Sequence, residues 1–524
     1  RDWNNFAPNV GLAYDITGKG KTIFRAGYSI AYGIDNLIND VPNTILFGVN
    51  NGLSAPVTLT NQTAIVSKGL PTLAPPAFAI PTSFQKNFDA SPTSPPAYGL
   101  IDPNLATPYV QQWNAALAHE IKGFVLEARY VGNHAVKMLR GVDFNQININ
   151  QSGYIQDFNK ARNNGALSLA AGKGFNPSFN STIPGSQPLP FFNSLPSGGL
   201  LTNATVAGLV QTGEAGSLAQ IYQSNFLLPS DTFSFFPNPL TLYQNVLTNY
   251  SNSTYNAAQF EVRKRTRSGI QFQANYTFSK ALSDALAQRG LDPILDVNNS
   301  KLEKARAPFD TTHAFKLNHS IPLPFGSNRR FAMHGIKDRI FGGWTYGGFL
   351  RIESGPPVSI LSSRGTLNRG ARSGQNTVDT NLTLDQLKAI TGLYKTGNGP
   401  YFIDPSHINP TTGAGVAPDL QPAFAGQVFF NPQGGSVGSL QRRALDGPGF
   451  WMYDASMVKN IKITERQSLE FRADAYNLFN HPNFFAGDTQ GLVNSSTFGQ
   501  ITSMNFTNYG ISTRKMQFGL FYRF

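Results

Sequence analysis

At 524 residues the chain is long enough for several soluble domains or for one very large all-β unit. Charged residues make up only 14% while aromatics reach 12%, with 40 Phe, a poor composition for an ordinary cytosolic surface. The formal charge of +12 is carried by Lys and Arg spread singly, without a basic run or basic helix, so it argues against nucleic acid; the absence of Cys excludes a disulfide framework or thiolate metal site.

No stretch approaches 18 consecutive apolar residues, so a membrane contact has to come from strands. The sequence opens on Arg1 in a strand-leading segment without a leader peptide, and is read as the C-terminal part of a longer precursor.

The dominant signal is period two, which sets alternate side chains on opposite faces of a strand. Eleven segments show it. Phe6, Val10, Leu12 and Tyr14 open the series; Phe24, Ala26, Tyr28, Ile30 and Tyr32 alternate with Arg25, Gly27 and Ser29. Segments at 113–117 and 124–130 follow, the second setting Phe124, Leu126, Ala128 and Tyr130 against Glu127 and Arg129. After a long gap come Ala258, Phe260 and Val262 against Gln259, Glu261 and Arg263, then the clearest case, "IQFQANYTFS" at 270–279. The series continues at 313–321, 344–352, 451–461 and 469–476, where Leu469, Phe471, Ala473 and Ala475 oppose Glu470, Arg472 and Asp474. It ends on "RKMQFGLFYRF" at 514–524.

The connections alternate as well. Short links at 15–21, 120–123, 265–269 and 462–466, with a longer one at 322–338, take turns with Gly/Pro/Asn/Ser-rich stretches at about 34–107, 133–252, 282–309, 355–448 and 481–510. A β-sandwich would hide the apolar face of such strands against a second sheet, but its strands average about six residues and its turns are similar at both ends. Strands of about ten residues tilted by about 45° cross an apolar band of about 25 Å, with short periplasmic turns and long external loops. The expected fold is therefore all-β, a transmembrane antiparallel β-barrel whose first strand descends and whose eleventh ends at the periplasmic rim.

Several stretches resemble TonB-dependent outer-membrane receptors, particularly the Oar-like group with an N-terminal carboxypeptidase-regulatory-like domain. They are "NFAPNVGLAYD" (5–15), "KTIFRAGYSIAYG" (21–33), "DPNLATPYVQQWNAALAHEI" (102–121), "FGGWTYGGFLRIESGPPVSI" (341–360), "FRADAYNLFNHPNF" (471–484), "STFGQI" (496–501) and the terminal strand. The resemblance implies that residues 1–524 supply about the last 11 of 22 strands, without the plug, the TonB box or the first half of the barrel. It implies solute uptake across the outer membrane, with the bilayer, lipopolysaccharide, the barrel-assembly machinery, an unknown solute and, through the missing N-terminal part, the TonB complex as partners. A passive porin-like channel and a soluble or surface β-protein that binds a ligand through its loops are the alternatives.

Within that reading Arg25, Glu127, Arg129, Glu261, Arg263, Arg472 and Asp474 are candidates for lining the lumen, while Phe518, Leu520, Tyr522 and Phe524 form the expected assembly signal. "GKGKT" (18–22) lacks the earlier Gly of a phosphate loop, where Asp15 stands, and reads as a hairpin turn. His313 and His319 share a face without a carboxylate or Cys at ligand spacing, and His481 beside Pro482 reads as a turn residue. No nucleophile elbow or zinc-protease motif occurs. Neither catalysis nor a cofactor is expected. Aromatic loop pieces at 231–239 and 96–103 are candidates for an outer binding surface or for packing between loops.

Overall fold

A computed structural model describes residues 5–33, 83–90, 92, 97–225, 228, 233–285, 294–327, 329–368, 376–464, 466–487, 490–502, 504 and 513–524. Eleven antiparallel strands form its wall. They are β1 (Asn9–Asp15), β2 (Thr22–Tyr32), β3 (Tyr109–Ile121), β4 (Phe124–Asp143), β5 (Tyr243–Arg265), β6 (Gln271–Ser283), β7 (His313–Pro322), β8 (Trp344–Glu353), β9 (Phe450–Lys462), β10 (Ser468–Tyr476) and β11 (Lys515–Arg523). Each pairs with the next in chain order, an up-and-down meander. Among the described residues β1 pairs only with β2 and β11 only with β10, so the sheet has two unpaired edges.

Register carries one face across the whole wall, because residues directly opposite on paired strands point to the same side. Tyr14, Phe24, Leu117, Ala128, Phe260, Tyr276, Phe315, Ile352 and Trp451 form one continuous cross-strand row. One residue away, Ala13, Arg25, Ala116, Arg129, Gln259, Thr277, Ala314 and Glu353 form the matching row on the other face. The apolar alternation therefore adds up to an oily outer surface and a polar inner one. Aromatics gather near both ends of the outer face: Phe24, Phe124, Phe272, Trp344 and Phe471 near the short turns, Tyr32, Tyr109 and Trp451 near the long loops. No described helix is long and apolar enough to cross a membrane.

The short links are tight for local reasons. In the hairpin between β3 and β4, Lys122 and Gly123 both hold positive φ (50° and 76°), the backbone twist that matches a right-handed strand pair. Between β1 and β2, Asp15 accepts backbone N–H bonds from Thr17 (3.1 Å) and Gly20 (2.6 Å), fixing the turn that holds "GKGKT".

Two features of the long-loop side differ from the sequence reading. First, β4 and β5 run on well past the apolar alternation, to Asp143 and from Tyr243, with a short strand Ala97–Ile101 laid parallel against Tyr243–Leu247. Above the bilayer both sides of a strand meet protein or water, so the ladder continues while the period-two signal fades. Second, the stretches read as polar loops contain helices α1 (Tyr154–Ala170), α2 (Ala204–Gln211) and α3 (Ala215–Ser224). These pack around Tyr154, Phe158, Phe192, Leu218, Tyr222 and Phe235, all fully buried. A separate core of Val358, Phe402, Ile403, Phe429, Val493 and Phe498 joins the β8–β9 and β10–β11 loops. The loops thus form a cap with hydrophobic cores of its own.

Candidate functional site

The inner face of the wall is built from same-strand ion pairs. Residues i and i+2 of a strand share a face, so an acid and a base at that spacing meet without help from tertiary structure. Arg129 pairs with Glu127, Arg263 with Glu261 (3.5 Å) and Arg472 with Asp474 (2.8 Å). All seven lumen-lining candidates lie on this face, spread from Arg25 on β2 to Asp474 on β10 rather than gathered into one centre. Arg25 and Arg129 stand on either side of Ala116.

Further pairs on the same wall were not singled out from sequence. Arg351 grips Glu353 with two bonds (2.6 and 3.0 Å), and Lys316 lies 3.8 Å from the same carboxylate. Arg351-x-Glu353 has the same i, i+2 pattern as the other pairs and was legible in principle. Arg523 with Glu470 (2.7 Å) joins two strands and was not. Toward the short-turn end a recess of about 630 Å³ has Glu120, Arg263, Gln273 and Asn318 among its lining residues.

The cap is sewn to the wall by charges that no local pattern announces. Glu303, fully buried, accepts from Arg140 at the top of β4 (3.0 Å), from Arg442 (3.3 Å) and from the backbone N–H of Leu295 (2.9 Å). Arg306 donates to Asp310 (2.8 Å), Asp446 (2.7 Å) and Thr312 (2.9 Å). Arg364 bridges Glu214, just before α3, and Asp419. Burial pushes the Asp419 carboxyl up, against the pull of Arg364 and Arg162. Burial likewise raises the phenols of Tyr154 and Tyr222, which donate to the carbonyls of Ala215 (2.7 Å) and Gly199 (2.6 Å).

The aromatic loop pieces resolve toward packing. Phe235 and Phe236 are buried in the helical core, and Tyr98 is buried against Phe84, although Leu100 and Ile101 remain exposed. Asp231, Thr232 and Pro96 lie outside the described residues. His313 and His319 face outward and bond to tyrosines, His313 to Tyr276 (2.8 Å) and His319 to Tyr453 (3.0 Å). The backbone N–H of His481 donates to Asn477 (3.0 Å) in the link after β10. No group of three or more metal-ligating side chains occurs among the described residues. Phe518, Leu520 and Tyr522 lie on the outer face opposite Ala473, Phe471 and Leu469, and Phe524 stacks on Tyr522 with ring centres 5.9 Å apart.

The solved structures that resemble the chain include three at 8–9% identity. The outer membrane transporter YddB from Escherichia coli aligns with 98% of this chain and 40% of its own (TM-score 0.41, 8% identity). A mutant of the ferric enterobactin receptor PfeA from Pseudomonas aeruginosa aligns with 99% of this chain and 40% of its own (TM-score 0.37, 9% identity). The ferripyoverdine receptor of the Pseudomonas aeruginosa outer membrane aligns with 99% of this chain and 32% of its own (TM-score 0.33, 9% identity). The chain thus spans two fifths or less of the length of these structures. No curated protein matches it. The family model described as "Outer membrane beta barrel domain" matches residues 1–517. The chain, an all-β protein of the cell outer membrane, belongs to the outer membrane β-barrel domain family.

Proposed function

We propose that residues 1–524 are the C-terminal part of a TonB-dependent outer-membrane receptor of the Oar-like group, which takes up a solute across the outer membrane. The observation that carries this reading is the pair of edges, β1 and β11, that have no further strand partner among the described residues, on a wall with one oily face. Backbone N–H and C=O groups left open in hydrocarbon cost several kcal/mol each, so the wall requires further strands to close. About 22 strands is the size of plugged outer-membrane transporters. The folded cap over the long-loop side suits capture of a solute, the paired charges of the inner wall suit a wet lumen, and the barrel-assembly machinery reads the terminal strand through Phe518, Leu520, Tyr522 and Phe524.

Planar-bilayer recording on the full-length protein tests this. A plugged receptor is electrically silent until its plug is displaced, and solute accumulation in cells collapses when the proton gradient is dissipated. Steady conductance from the untreated protein would contradict the receptor and support a passive channel.

A further inference from the structure

Of the five links on the periplasmic side, residues 323–343 form by far the longest. By sequence, links 16–21, 122–123, 266–270, 323–343 and 463–467 hold nine Lys and Arg against two acids, whereas the whole chain has 42 against 30. The basic residues that look scattered along the sequence are therefore concentrated by the fold on one rim. Four of the nine, Arg329, Arg330, Lys337 and Arg339, belong to link 323–343, and all four are exposed.

The same link presents apolar side chains to its surroundings. Ile336 is 74% exposed, Ile340 and Phe341 are each 54% and Phe331 is 50%. Ile336 and Ile340 stand four residues apart on the short helix Ile336–Phe341, where they share a face. The link is nevertheless built and tethered. The backbone N–H of Ser327 donates to Asp338 (2.9 Å), and the Trp344 indole donates to the Ile340 carbonyl (3.0 Å). The Lys459 ammonium donates to the carbonyls of Ile340 (3.1 Å) and Gly342 (2.6 Å). Trp344 and Lys459 are cross-strand partners on the outer face, so the helix is held at the edge of the lipid-facing surface.

In water that apolar surface is unfavourable, whereas in the headgroup layer it is satisfied. Exposed Ile and Phe beside exposed Arg and Lys is the chemistry of a segment lying in a bilayer interface. We propose that link 323–343 is an interfacial anchor that binds anionic glycerophospholipid in the periplasmic leaflet. Ile336, Ile340 and Phe341 enter the acyl boundary beside Trp344, and Arg329, Arg330, Lys337 and Arg339 take the lipid phosphates. The anchor operates whether or not the barrel transports a solute.

The full-length protein in nanodiscs of phosphatidylcholine and phosphatidylglycerol provides the test, with retained lipids counted by native mass spectrometry. Phosphatidylglycerol is enriched on the wild type, and the exposed double variant Arg330→Gln/Lys337→Gln reduces that enrichment by about fivefold per cation removed. Lys173→Gln/Lys388→Gln, two exposed lysines of the cap at the opposite end of the wall, leaves it within about twofold. Unchanged enrichment in the first variant, or equal loss in both, overturns the site. Residues 1–524 contain no cysteine, so a nitroxide at Ile340→Cys, in full-length protein with any cysteine outside this stretch replaced by Ser, reports depth independently. It is accessible to oxygen and shielded from a water-soluble nickel chelate; a label fully open to the chelate would mean that lipid does not cover this link.

Discussion

Glu127 on β4 and Glu261 on β5 stand directly opposite each other on the inner wall, two like charges in register, and each is neutralised from its own strand by the arginine two residues on. Like charges at this spacing destabilise a sheet, so Arg129 and Arg263 support the wall as well as line it. Arg129→Gln is expected to cost about 0.5–1 kcal/mol, the scale of a solvated pair, and Glu127→Gln added to it to recover most of that. Urea unfolding of the full-length protein from lipid vesicles measures both. A double variant as weak as the single one would leave the opposed carboxylates without energetic consequence.

Phe260 lies in the middle of the outer-face row, half-exposed, while its neighbour Gln259 points inward. Phe260→Arg puts a charge near the bilayer midplane and is expected to cost about 2–4 kcal/mol of insertion free energy. Gln259→Arg is expected to cost less than about 1 kcal/mol, because it meets a wet wall. The same unfolding measurement compares them, and equal costs would remove the inside-outside assignment.

Glu303 is the hinge of the cap, holding Arg140 and Arg442 from two distant parts of the chain. Glu303→Ala leaves two guanidinium groups buried without their acid, a loss on the order of 3–5 kcal/mol. Because the wall keeps its own ladder, faster hydrogen exchange is expected around 294–306 and 440–446 but not in β6 or β9. Unchanged exchange in the cap would show that the triad does not hold it.

Tyr154 and Tyr222 give the helical part of the cap an alkaline limit. Burial raises both phenols above the ordinary value of 10.0, so the folded cap keeps protons that the unfolded cap releases. The stability they contribute is complete below about pH 10 and falls as pH rises beyond it. The part of the tyrosinate absorbance that Tyr154→Phe and Tyr222→Phe remove should therefore appear together with loss of helical circular dichroism. Tyr222→Phe, which gives up the bond to Gly199, should weaken the cap at neutral pH and flatten its alkaline loss. Formation of that part of the absorbance in an intact cap would contradict this.

Tyr522 lies on the outer face of β11, and Phe524 stacks on it. With both replaced by Ser, outer-membrane abundance is expected to fall severalfold while the heat-modifiable gel mobility of the inserted molecules stays unchanged. Immunoblots of membrane fractions decide this, and unchanged abundance would remove their proposed role in assembly.

The wall was legible in the sequence because a bilayer asks the same thing of every strand. All eleven alternating segments became strands, and the acid-base spacing in Glu127-x-Arg129 and Arg472-x-Asp474 became ion pairs. What escaped depends on distance along the chain. Arg140, Glu303 and Arg442 carry no mutual signal until three segments fold together. Helices α1 to α3 sit in stretches broken by Gly and Pro, and they bury their faces against one another and against loop residues such as Phe192 and Phe235. The cationic rim was hidden for the same reason: its residues are scattered in sequence, and only the meander brings the links to one end.

The central claim is that hydrocarbon covers the oily face of this wall. Single cysteines from 258 to 263 on β5 of the full-length protein in lipid vesicles, probed with a membrane-impermeant maleimide, test it most directly. Positions 259, 261 and 263 should label while 258, 260 and 262 stay protected, and detergent should expose the protected set. Labelling of both sets alike, or protection that persists in detergent because another protein layer covers that face, would contradict the account.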